Sequence, residues 1–398
     1  MLEQLKIFGR ELIDSQSIKQ IKNCLIEGSY GVLTADAHYG YGHPIGGAVA
    51  YPEHISLSGV GFDIACGNKA VRTDVKAKDV NIAVVMDEIT SRIGFGVGTP
   101  NPLKVDHPVL EELKSIEVKA PGRVKSELLS VAREQLGSIG SGNHFVDLFE
   151  DEEGYLWIGV HFGSRGFGHK LTTGFISLSQ GGAFEDRPKN TSMDSDPILF
   201  SVDSELGQDY IQAIYLAGKY AYAGRDTAVD EVLKILGAET TYEVHNHHNF
   251  AWREQHFGRD YWVVRKGCTP AFPGQKGFIG SNMFDTSVII EGVDGEQSKK
   301  GLYSTVHGAG RVMSRRKARG KVKWKKGRDG KKRPTVVSKG VVDFEKTRER
   351  ALELGIELRG GGADESPECY KPLEEVLKHQ GNTIKVLFKL KPVGVAMA

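Results

Sequence analysis

Short apolar runs alternate with longer amphipathic stretches along the chain, and each pattern predicts a different kind of element. Runs rich in β-branched and aromatic residues predict strands at 31–36, 144–150, 156–162, 261–266, 286–293 and 394–398. Apolar residues at helical spacing predict helices over 3–13, 108–116, 205–236 and 372–380. The third stretch has room for two helices broken around YAGRD, and the polar segment 181–197 predicts a loop. Because strands and helices follow no regular βαβ order, we expect an α+β fold with mixed sheets.

Composition narrows the class of protein. A chain of 398 residues with 39% hydrophobic and 26% charged residues can bury a sizeable core. No apolar run approaches the roughly 20 residues that span a bilayer, and the charged N-terminus does not resemble a secretion signal. Four scattered cysteines form no CxxC pair and predict no disulfide framework. We therefore expect a cytoplasmic protein that makes no membrane contact.

Glycines cluster beside polar residues instead of following a fixed period. The 49 glycines are concentrated in GYGHPIGG, GVGFDIACG, GSIGSGNHF, GSRGFGH, HGAGR and RGGGAD. Glycine at this density marks tight turns and places where the backbone approaches a ligand. We expect one site assembled from several of these loops.

Carboxylate, thiol and imidazole groups recur within these clusters. Asp63 and Cys66 lie three residues apart between glycines, where a tight turn can direct both side chains at one ion. The segments GNHF, GVHFGSRG and EVHNHHNF add His144, His161, His245, His247 and His248. One carboxylate, one thiolate and three imidazoles are enough for two ions that share the sulfur. The alternative is that a chain with 13 histidines places several near turns by chance, since a single histidine is more often a core residue.

The segment EVHNHHNF leaves the choice of ligand open. Side chains alternate between the two faces of a strand, so His245 and His247 share one face and His248 lies on the other. Periodicity alone therefore nominates His245 and His247.

A histidine at a glycine loop is the candidate nucleophile. His307 is followed by Gly308, Ala309, Gly310 and Arg311. Backbone N–H groups of such a loop can approach phosphate oxygens, and arginine can neutralise them. A histidine held there is placed to attack phosphorus and form a phosphoramidate. The alternative is an ordinary glycine turn with a solvent-exposed histidine.

A basic block runs from Arg315 to Arg333. It contains twelve lysines and arginines opposed only by Asp329, with Trp324 interleaved. We expect a loop or hairpin whose partner is a phosphate backbone, with the tryptophan available for base stacking. The alternative is a solvated surface insertion.

Taken together, these segments resemble one family, the RtcB-type RNA ligases. The matching stretches, in the family's order from about residue 30 onwards, are LTADAHYGYGHPIGG, GVGFDIACG, GSGNHFVDL, VHFGSRGFGH, HHNF…REQHFG…RKG and HGAGRVMSR. The resemblance implies a single RtcB-like catalytic domain over 1–398, with a basic insertion at about 315–333. It further implies mixed sheets and surrounding helices around a central metal cleft.

The resemblance also implies a centre of two Mn²⁺ ions. Asp63, Cys66 and His144 match the ligands of one ion, and Cys66, His161 and His248 match those of the other. It thus favours His248 over the pair that periodicity selects. Manganese comes only from the resemblance, because a thiolate with imidazoles would otherwise suggest zinc.

The remaining family residues concern nucleotide and phosphate. His307 matches the histidine that carries a covalent guanylate. The nucleotide-binding positions correspond to Asn143, Asp147, Ser281, Gly308, Ala309 and Gly310, and the phosphate- or RNA-binding positions to Arg165, Arg311 and Arg315. The implied reaction uses GTP to guanylate His307, opens a 2′,3′-cyclic phosphate to a 3′-phosphate, transfers the guanylate to that end, and joins it to a 5′-hydroxyl.

Three departures from the family pattern indicate a divergent branch. The usual glutamate after NHF is Asp147, the usual GSMG nucleotide loop is GSNMF at 280–284, and the usual C-terminal Lys-Gly is Met397-Ala398. These changes leave the preference for GTP over other nucleotides open.

We therefore expect an RNA ligase that acts in RNA repair or tRNA splicing. One alternative is a metal-dependent cyclic phosphodiesterase or guanylyltransferase that processes RNA ends without sealing them. A second alternative is a non-catalytic RNA-binding factor. The physiological RNA, the need for a protein activator and the oligomeric state are left open by the sequence.

Overall fold

The computed structural model describes residues 4–189, 192–326 and 332–398. The strands are β1 (Leu5–Ile7), β2 (Tyr30–His38), β3 (Ile45–Tyr51), β4 (His54–Ser56), β5 (Gly67–Lys76), β6 (Phe145–Glu150), β7 (Tyr155–Phe162), β8 (Leu199–Ser201), β9 (Thr240–His247), β10 (Asn249–His256), β11 (Arg259–Lys266), β12 (Cys268–Pro270), β13 (Lys276–Ile279), β14 (Ser287–Gly292), β15 (Ser304–Val306), β16 (Gly320–Lys326), β17 (Lys332–Lys339), β18 (Glu357–Arg359) and β19 (Ile384–Met397). The helices are α1 (Ser15–Asn23), α2 (Leu57–Val60), α3 (Ile82–Arg92), α4 (Val109–Glu112), α5 (Gly122–Gln135), α6 (Arg165–Ser179), α7 (Glu205–Leu236), α8 (Glu296–Lys300), α9 (Arg315–Arg319), α10 (Phe344–Glu353) and α11 (Leu373–Lys378).

Two large mixed sheets form the framework of this α+β fold. One has the strand order β1-β2-β3-β11-β10, and the other has the order β13-β14-β19-β6-β7-β5-β9, with β18 paired to β19. The pairs β1–β2 and β18–β19 are parallel, and the other pairs in these sheets are antiparallel. Only His248 separates β9 from β10. The chain therefore passes from one sheet to the other at a predicted ligand.

The long helix α7 packs in the cores of both sheets. Its N-terminal half contributes residues such as Tyr210, Ala217 and Tyr220 to the cluster that contains Val49 and Val264 of the five-stranded sheet. Its C-terminal part contributes Ala228, Val229 and Val232 to the cluster that contains Val71, Val146 and Val160 of the larger sheet. Because one part of α7 is buried against each sheet, apolar residues recur along the whole helix.

The predicted break in α7 is wrong. The helix is continuous from the Ser204 cap, whose side chain accepts a hydrogen bond from Gly207 N, to Gly237 in the left-handed region at φ 60°. A Cβ at Gly224 would lie 3.3 Å from Phe162 Cε2, so this glycine serves close packing against β7. Packing offsets the cost of about 1 kcal/mol that glycine imposes inside a helix.

The predicted N-terminal helix is also wrong. Within 3–13, Leu5–Ile7 forms β1 and Arg10–Leu12 forms a 3₁₀ turn, while Glu3 lies outside the described residues. β1 pairs in parallel with β2, and Gly9 separates the two elements with φ 60°. Pairing at the sheet edge thus overrides the helical spacing of the apolar residues.

The other predicted elements are confirmed. The strand runs coincide with parts of β2, β6, β7, β11, β14 and β19, and 108–116 and 372–380 contain α4 and α11. Segment 181–197 contains no helix or strand where it is described, and its residues 190 and 191 lie outside the described part. The basic block forms α9 and the hairpin β16–β17, with 327–331 outside the described residues. Across the described ranges, no helix has the combined length and apolarity needed to cross a membrane.

Candidate metal centre and active site

The structure brings the five predicted metal ligands together where the two large sheets meet. Asp63, Cys66 and His144 form one group and Cys66, His161 and His248 form another, with donor atoms in each group within 4.8 Å of one another. Cys66 Sγ lies 3.6 Å from His144 Nε2 and 3.4 Å from His161 Nε2. His144 Nε2 lies 2.9 Å from Asp63 Oδ2. Cys66 thus belongs to both groups, and the five residues together are called the metal-ligand group.

Close backbone approach makes this clustering possible. Ala65, the residue before Cys66, adopts the left-handed region at φ 57°, which is uncommon for a residue with a side chain. A Cβ at Gly163 would lie 2.3 Å from Asp63 Oδ1, and one at Gly140 would lie 1.9 Å from His144 Nδ1. Two of the glycine clusters therefore leave room for ligand side chains.

Burial sets the protonation of these groups. It lowers the pKa of His161 and His248 well below the ordinary histidine value, with nearby positive charge adding to the effect. Burial alone would raise the pKa of Asp63, but the charge and hydrogen bond of His144 bring it to about 2. Burial and the Asp63 carboxylate raise the pKa of the Cys66 thiol. The cluster therefore combines the carboxylate of Asp63, neutral imidazoles at His161 and His248, and a thiol that a cation would help to ionise.

The residues present fit divalent cations. His248 Nδ1 is buried and has no hydrogen-bond partner in the described part of the chain. His144 directs its ring nitrogen Nε2 at Asp63 and Cys66. A buried ring nitrogen without a partner is costly, and metal coordination is one way to satisfy a histidine nitrogen. His161 is oriented differently, because its Nδ1 lies 2.6 Å from Asn68 Oδ1. That contact accounts for an Nδ1–H donor and leaves His161 Nε2, which faces Cys66, free to bind a cation.

The structure places His248 of EVHNHHNF in the candidate metal-ligand group, and not the two histidines that periodicity favours. His245 and His247 share a face of β9 as expected, but that face points toward Arg225. Arg225 Nε donates to His245 Nε2 at 2.9 Å, and its Nη2 lies 3.0 Å from His247 Nδ1. His248 joins the metal-ligand group because it is the connecting residue between two strands, where alternation no longer fixes the direction of the side chain.

His307 is held by a buried carboxylate that the sequence analysis did not nominate. Asp36 lies on β2 with no exposed surface, and its Oδ2 is 2.7 Å from His307 Nδ1 and 3.0 Å from His307 N. Burial would raise the pKa of Asp36, but the hydrogen bond and charge of His307, with a further hydrogen bond from Thr34, hold it below its ordinary value. An ionised Asp36 accepts a hydrogen bond from Nδ1–H of His307, so the lone pair of the neutral ring is on Nε2. The His307 ring centroid lies 4.9 Å from that of His248.

The loop after His307 wraps this carboxylate. Gly308 N also donates to Asp36 Oδ2 at 3.4 Å. Gly310 has φ 77°, and a Cβ there would lie 2.2 Å from the Asp36 carbonyl oxygen. The N–H groups of residues 307 and 308, expected to approach phosphate, are thus directed at Asp36.

A cavity of approximately 730 Å³ opens beside His307. Its lining includes all the predicted nucleotide-binding residues: Asn143, Asp147, Ser281, Gly308, Ala309 and Gly310. The volume lies within the range of ligand-binding clefts in proteins. Asn143 Nδ2 is 3.5 Å from His161 Nε2, so the cavity reaches the metal-ligand group.

The departures from the family pattern also lie in this cavity. Asp147 on β6 accepts a hydrogen bond from Ala396 N at 3.2 Å, and burial raises its pKa well above the ordinary value. Met397 pairs with Phe145 in the ladder between β19 and β6 and contributes to the lining. Ser281 donates its hydroxyl to Asp285 Oδ2 at 3.0 Å. All three changes therefore alter the cavity wall and leave the metal-ligand group unchanged.

Arg165 does not line this cavity. Its Nη2 donates to the carbonyl oxygens of Gly96 and Ile139, both at 3.0 Å. Arg165 also adopts φ 56° at the start of α6. These contacts fix the loop before His144 and do not present the guanidinium to the cavity.

Arg311 and Arg315 do line the cavity, but both form ion pairs with nearby carboxylates. Arg311 donates to Tyr370 Oη at 2.9 Å and to the Asp364 carbonyl at 2.7 Å, and its Nη1 is 3.5 Å from Glu365 Oε2. Arg315 Nη1 lies 3.1 Å from Asp364 Oδ2 and also contacts Glu365. A bound phosphate would have to compete with these acids for the two arginines.

Sequence reasoning missed two residues that orient the candidate site. Asp36 carried a signal, since it is a charged residue inside the apolar run GVLTADA. Asn68 lies two residues after Cys66 and donates its amide to the Phe278 carbonyl at 2.7 Å while contacting His161. Its partner is remote in sequence, so no local pattern reveals it.

Fold and site together define a class. This is an α+β protein in which a half-buried carboxylate, a buried thiol and three imidazoles form two groups of possible metal ligands, beside a histidine that a buried carboxylate orients. The family model described as tRNA-splicing ligase RtcB matches residues 19–398. RNA-splicing ligase RtcB of Escherichia coli K12 is 30% identical over 382 residues, covering 90% of this chain and 87% of the relative. The tRNA-splicing ligase RtcB of Thermococcus kodakarensis is 27% identical and covers 99% and 95%. The chain belongs to the tRNA-splicing ligase RtcB family.

The shared position of Cys66 predicts unequal effects of ligand substitutions. Cys66→Ala should abolish the binding of both cations, whereas His144→Ala should remove one, because only Cys66 belongs to both groups. Metal content after dialysis against Mn²⁺, measured by elemental mass spectrometry, checks this. His379→Ala, at the C-terminal end of α11, is the control and should bind as the unmodified protein does. Two equivalents of metal on Cys66→Ala would contradict the shared site.

Proposed function

We propose that this protein is a GTP- and Mn²⁺-dependent RNA ligase that joins 2′,3′-cyclic phosphate or 3′-phosphate RNA ends to 5′-hydroxyl ends. It would serve RNA repair or tRNA splicing. Relatives named RNA- and tRNA-splicing ligases support this class of reaction. The observation that carries the proposal is the position of His307: its Nδ1 bonds to Asp36 while its ring lies beside His248.

His307 acts as the nucleophile toward GTP. Its Nε2 lone pair attacks the α-phosphorus, and the bond from that phosphorus to the pyrophosphate oxygen breaks as the N–P bond forms. The Nδ1 proton stays on the hydrogen bond to Asp36, whose charge offsets the positive charge that develops on the ring. The cavity beside His307 has room for the nucleotide, and both Asn143 and Asp147 line it. Asn143 also contacts His161 of the metal-ligand group.

The guanylate then passes to RNA. Water opens a 2′,3′-cyclic phosphate to a 3′-phosphate, and an oxygen of that phosphate attacks the guanylate phosphorus and releases His307. The 5′-hydroxyl of the second RNA attacks the activated 3′-phosphate, so that a phosphodiester bond forms and GMP leaves. Arg311 and Arg315, which line the cavity, can pair with these phosphates once Asp364 and Glu365 are displaced.

Asp63, Cys66, His144, His161 and His248 would hold the two ions. Bound Mn²⁺ would supply Lewis-acid stabilisation of phosphate oxygens. Manganese is proposed from the family resemblance, since the thiol and imidazole donors also suit zinc.

We also propose that the chain acts as one catalytic domain in the cytoplasm. The family match from residue 19 to 398 supports a single catalytic unit. The four cysteines are all free and buried, as a reducing compartment permits. The basic hairpin would be an insertion in this domain.

A sealing assay tests the reaction. One labelled RNA carries a 2′,3′-cyclic phosphate and the other a 5′-hydroxyl, with GTP and Mn²⁺ present. The joined product should form with the unmodified protein and with His379→Ala, and should be absent with His307→Ala. A substrate pair with 3′-hydroxyl and 5′-phosphate ends should stay unjoined.

The products also separate the alternatives. A 3′ end that is opened or capped with guanylate but never joined would replace the ligase proposal with an end-processing enzyme. RNA that is bound but left unchanged would replace it with a binding factor. Sealing by His307→Ala would refute the histidine mechanism.

The hairpin β16–β17 is proposed to contact the RNA backbone. It follows α9, where Arg315 and Arg316 line the cavity, and its Lys323 and Lys339 are exposed. Changing Lys321, Lys323 and Lys339 to Gln should weaken RNA binding. It should also flatten the salt dependence by about 0.7 in logarithmic slope for each phosphate of a single strand that a lysine no longer neutralises. Guanylation should be unaffected, because these lysines do not line the cavity.

Filter binding over a salt series measures both quantities. The control changes three exposed lysines elsewhere, Lys78, Lys104 and Lys234. Equal slopes in the two triple variants would mean that the hairpin is a solvated insertion that does not touch RNA.

A further inference from the structure

Among the described residues, no carboxylate pairs directly with the buried cation Arg225. It lies in the middle of α7, and its side chain has no exposed surface. Asp226, the acid next to it in sequence, pairs with Lys69 at 2.7 Å. A guanidinium removed from water is strongly disfavoured unless its donors are satisfied. The four hydrogen-bond acceptors of Arg225 therefore identify the segments of the chain that this buried side chain holds together.

Three of these acceptors are direct sequence neighbours of candidate metal ligands. Arg225 Nη1 donates to the carbonyl oxygens of Ala65 at 3.0 Å and Phe162 at 2.6 Å. Its Nη2 lies 3.0 Å from His247 Nδ1. These residues immediately precede Cys66, follow His161 and precede His248, respectively. The planar guanidinium of Arg225 thus joins the three segments that carry Cys66, His161 and His248.

The fourth acceptor, His245 Nε2, fixes the remaining part of the planar guanidinium. Arg225 Nε donates to His245 Nε2 at 2.9 Å, and His245 Nδ1 lies 3.4 Å from Asp226 Oδ1. Arginine can only donate, so His245 Nε2 and His247 Nδ1 are both unprotonated acceptors. The Tyr222 ring also lies 5.0 Å from the guanidinium. The orientation of the guanidinium is therefore fixed independently of any bound ion.

The hydrogen bond from Arg225 to the Ala65 carbonyl supports a residue with a strained backbone. Ala65 is in the left-handed region at φ 57°, a conformation that persists only where the surroundings enforce it. Its N–H donates to the Asn249 carbonyl at 2.8 Å, and its carbonyl accepts from Arg225. These two hydrogen bonds hold both sides of the strained residue that precedes Cys66.

We infer that Arg225 is a positioning residue of the metal centre, which locks the segments of Cys66, His161 and His248 in register so that their donor atoms converge on one cation. The inference rests on the proposed metal-dependent function. It assigns a role to a helix residue that touches none of the ligand atoms and lines no part of the cavity beside His307.

Cobalt binding tests this role without any assay of activity. Titration of the full chain with Co²⁺ alone is followed by the thiolate-to-cobalt absorption that Cys66 would produce. Arg225→Lys keeps the positive charge but cannot reproduce the planar fork. We expect its Kd for Co²⁺ to rise by about 10- to 100-fold, as when other residues that orient metal ligands are replaced. Circular dichroism establishes that each variant is folded.

Arg265→Lys is the matched control. Arg265 is also fully buried and makes four hydrogen bonds, but to Glu254, Ser304 Oγ and the Leu302 carbonyl. Its replacement should leave the Kd for Co²⁺ unchanged. Equal weakening in both lysine variants would trace the effect to a general loosening of packing and overturn the inference, as would an unchanged Kd in Arg225→Lys.

A second variant probes the strain at Ala65. Glycine adopts positive φ without steric cost, so Ala65→Gly added to Arg225→Lys should recover part of the missing affinity. No recovery would overturn the role assigned to the Ala65 contact. If Arg225→Lys and Arg225→Gln both fail to fold, His245→Ala, which removes one acceptor and keeps the arginine, should raise the Kd in the same direction. An unchanged Kd in that variant would overturn the inference.

Titration of the unmodified protein with Co²⁺ distinguishes an error in the proposed metal centre from an error in the role of Arg225. If it gives no thiolate-to-cobalt absorption, the proposed metal centre itself is wrong. If it binds Co²⁺ with that absorption while Arg225→Lys binds equally well, the metal centre stands and only the role of Arg225 is refuted.

Discussion

The contact on which the candidate active site depends is the hydrogen bond between the buried carboxylate of Asp36 and His307. A carboxylate without exposed surface must find donors inside the protein, and three of its donors come from His307 N, His307 Nδ1 and Gly308 N. The glycine loop is therefore folded around Asp36 on β2. The same contact fixes the tautomer of the ring and leaves Nε2 available on the side away from the carboxylate.

The meeting of the two large sheets places the metal-ligand candidates next to this histidine. His248 is the single residue between β9 and β10, so the ligand group forms where the chain leaves one sheet for the other. Glycines allow Asp63 and His144 to approach the backbone, and Arg225 bonds to the sequence neighbours of three ligands. The cluster is thus built mostly from connections between elements, which explains why its residues are scattered along the sequence.

Six of the nineteen described strands could be predicted from sequence because their signals are local, namely alternating or continuous apolar runs. Polar residues beside glycines likewise indicated Asp63, Cys66, His144 and His161 as candidate ligands, whereas His248 was selected only by the family resemblance. The failures share a physical cause, since each depends on a remote partner. The continuous α7 requires Gly224 to pack on Phe162, β1 requires the edge of β2, and the direction of His245 and His247 requires Arg225. Likewise, nothing near Arg311 or Arg315 reveals that Asp364 and Glu365 pair with them.

The most direct measurement is the rate at which the protein acquires label from α-labelled GTP in the presence of Mn²⁺, with the labelled residue mapped by mass spectrometry. We predict an acid-labile guanylate on His307 that is absent in His307→Ala. In Asp36→Asn, which removes the charge that holds the Nδ1 proton, labelling should slow by about 10²- to 10⁴-fold. Label on a different residue would contradict the role of His307 as nucleophile. Labelling of Asp36→Asn at the unmodified rate would contradict the role of Asp36.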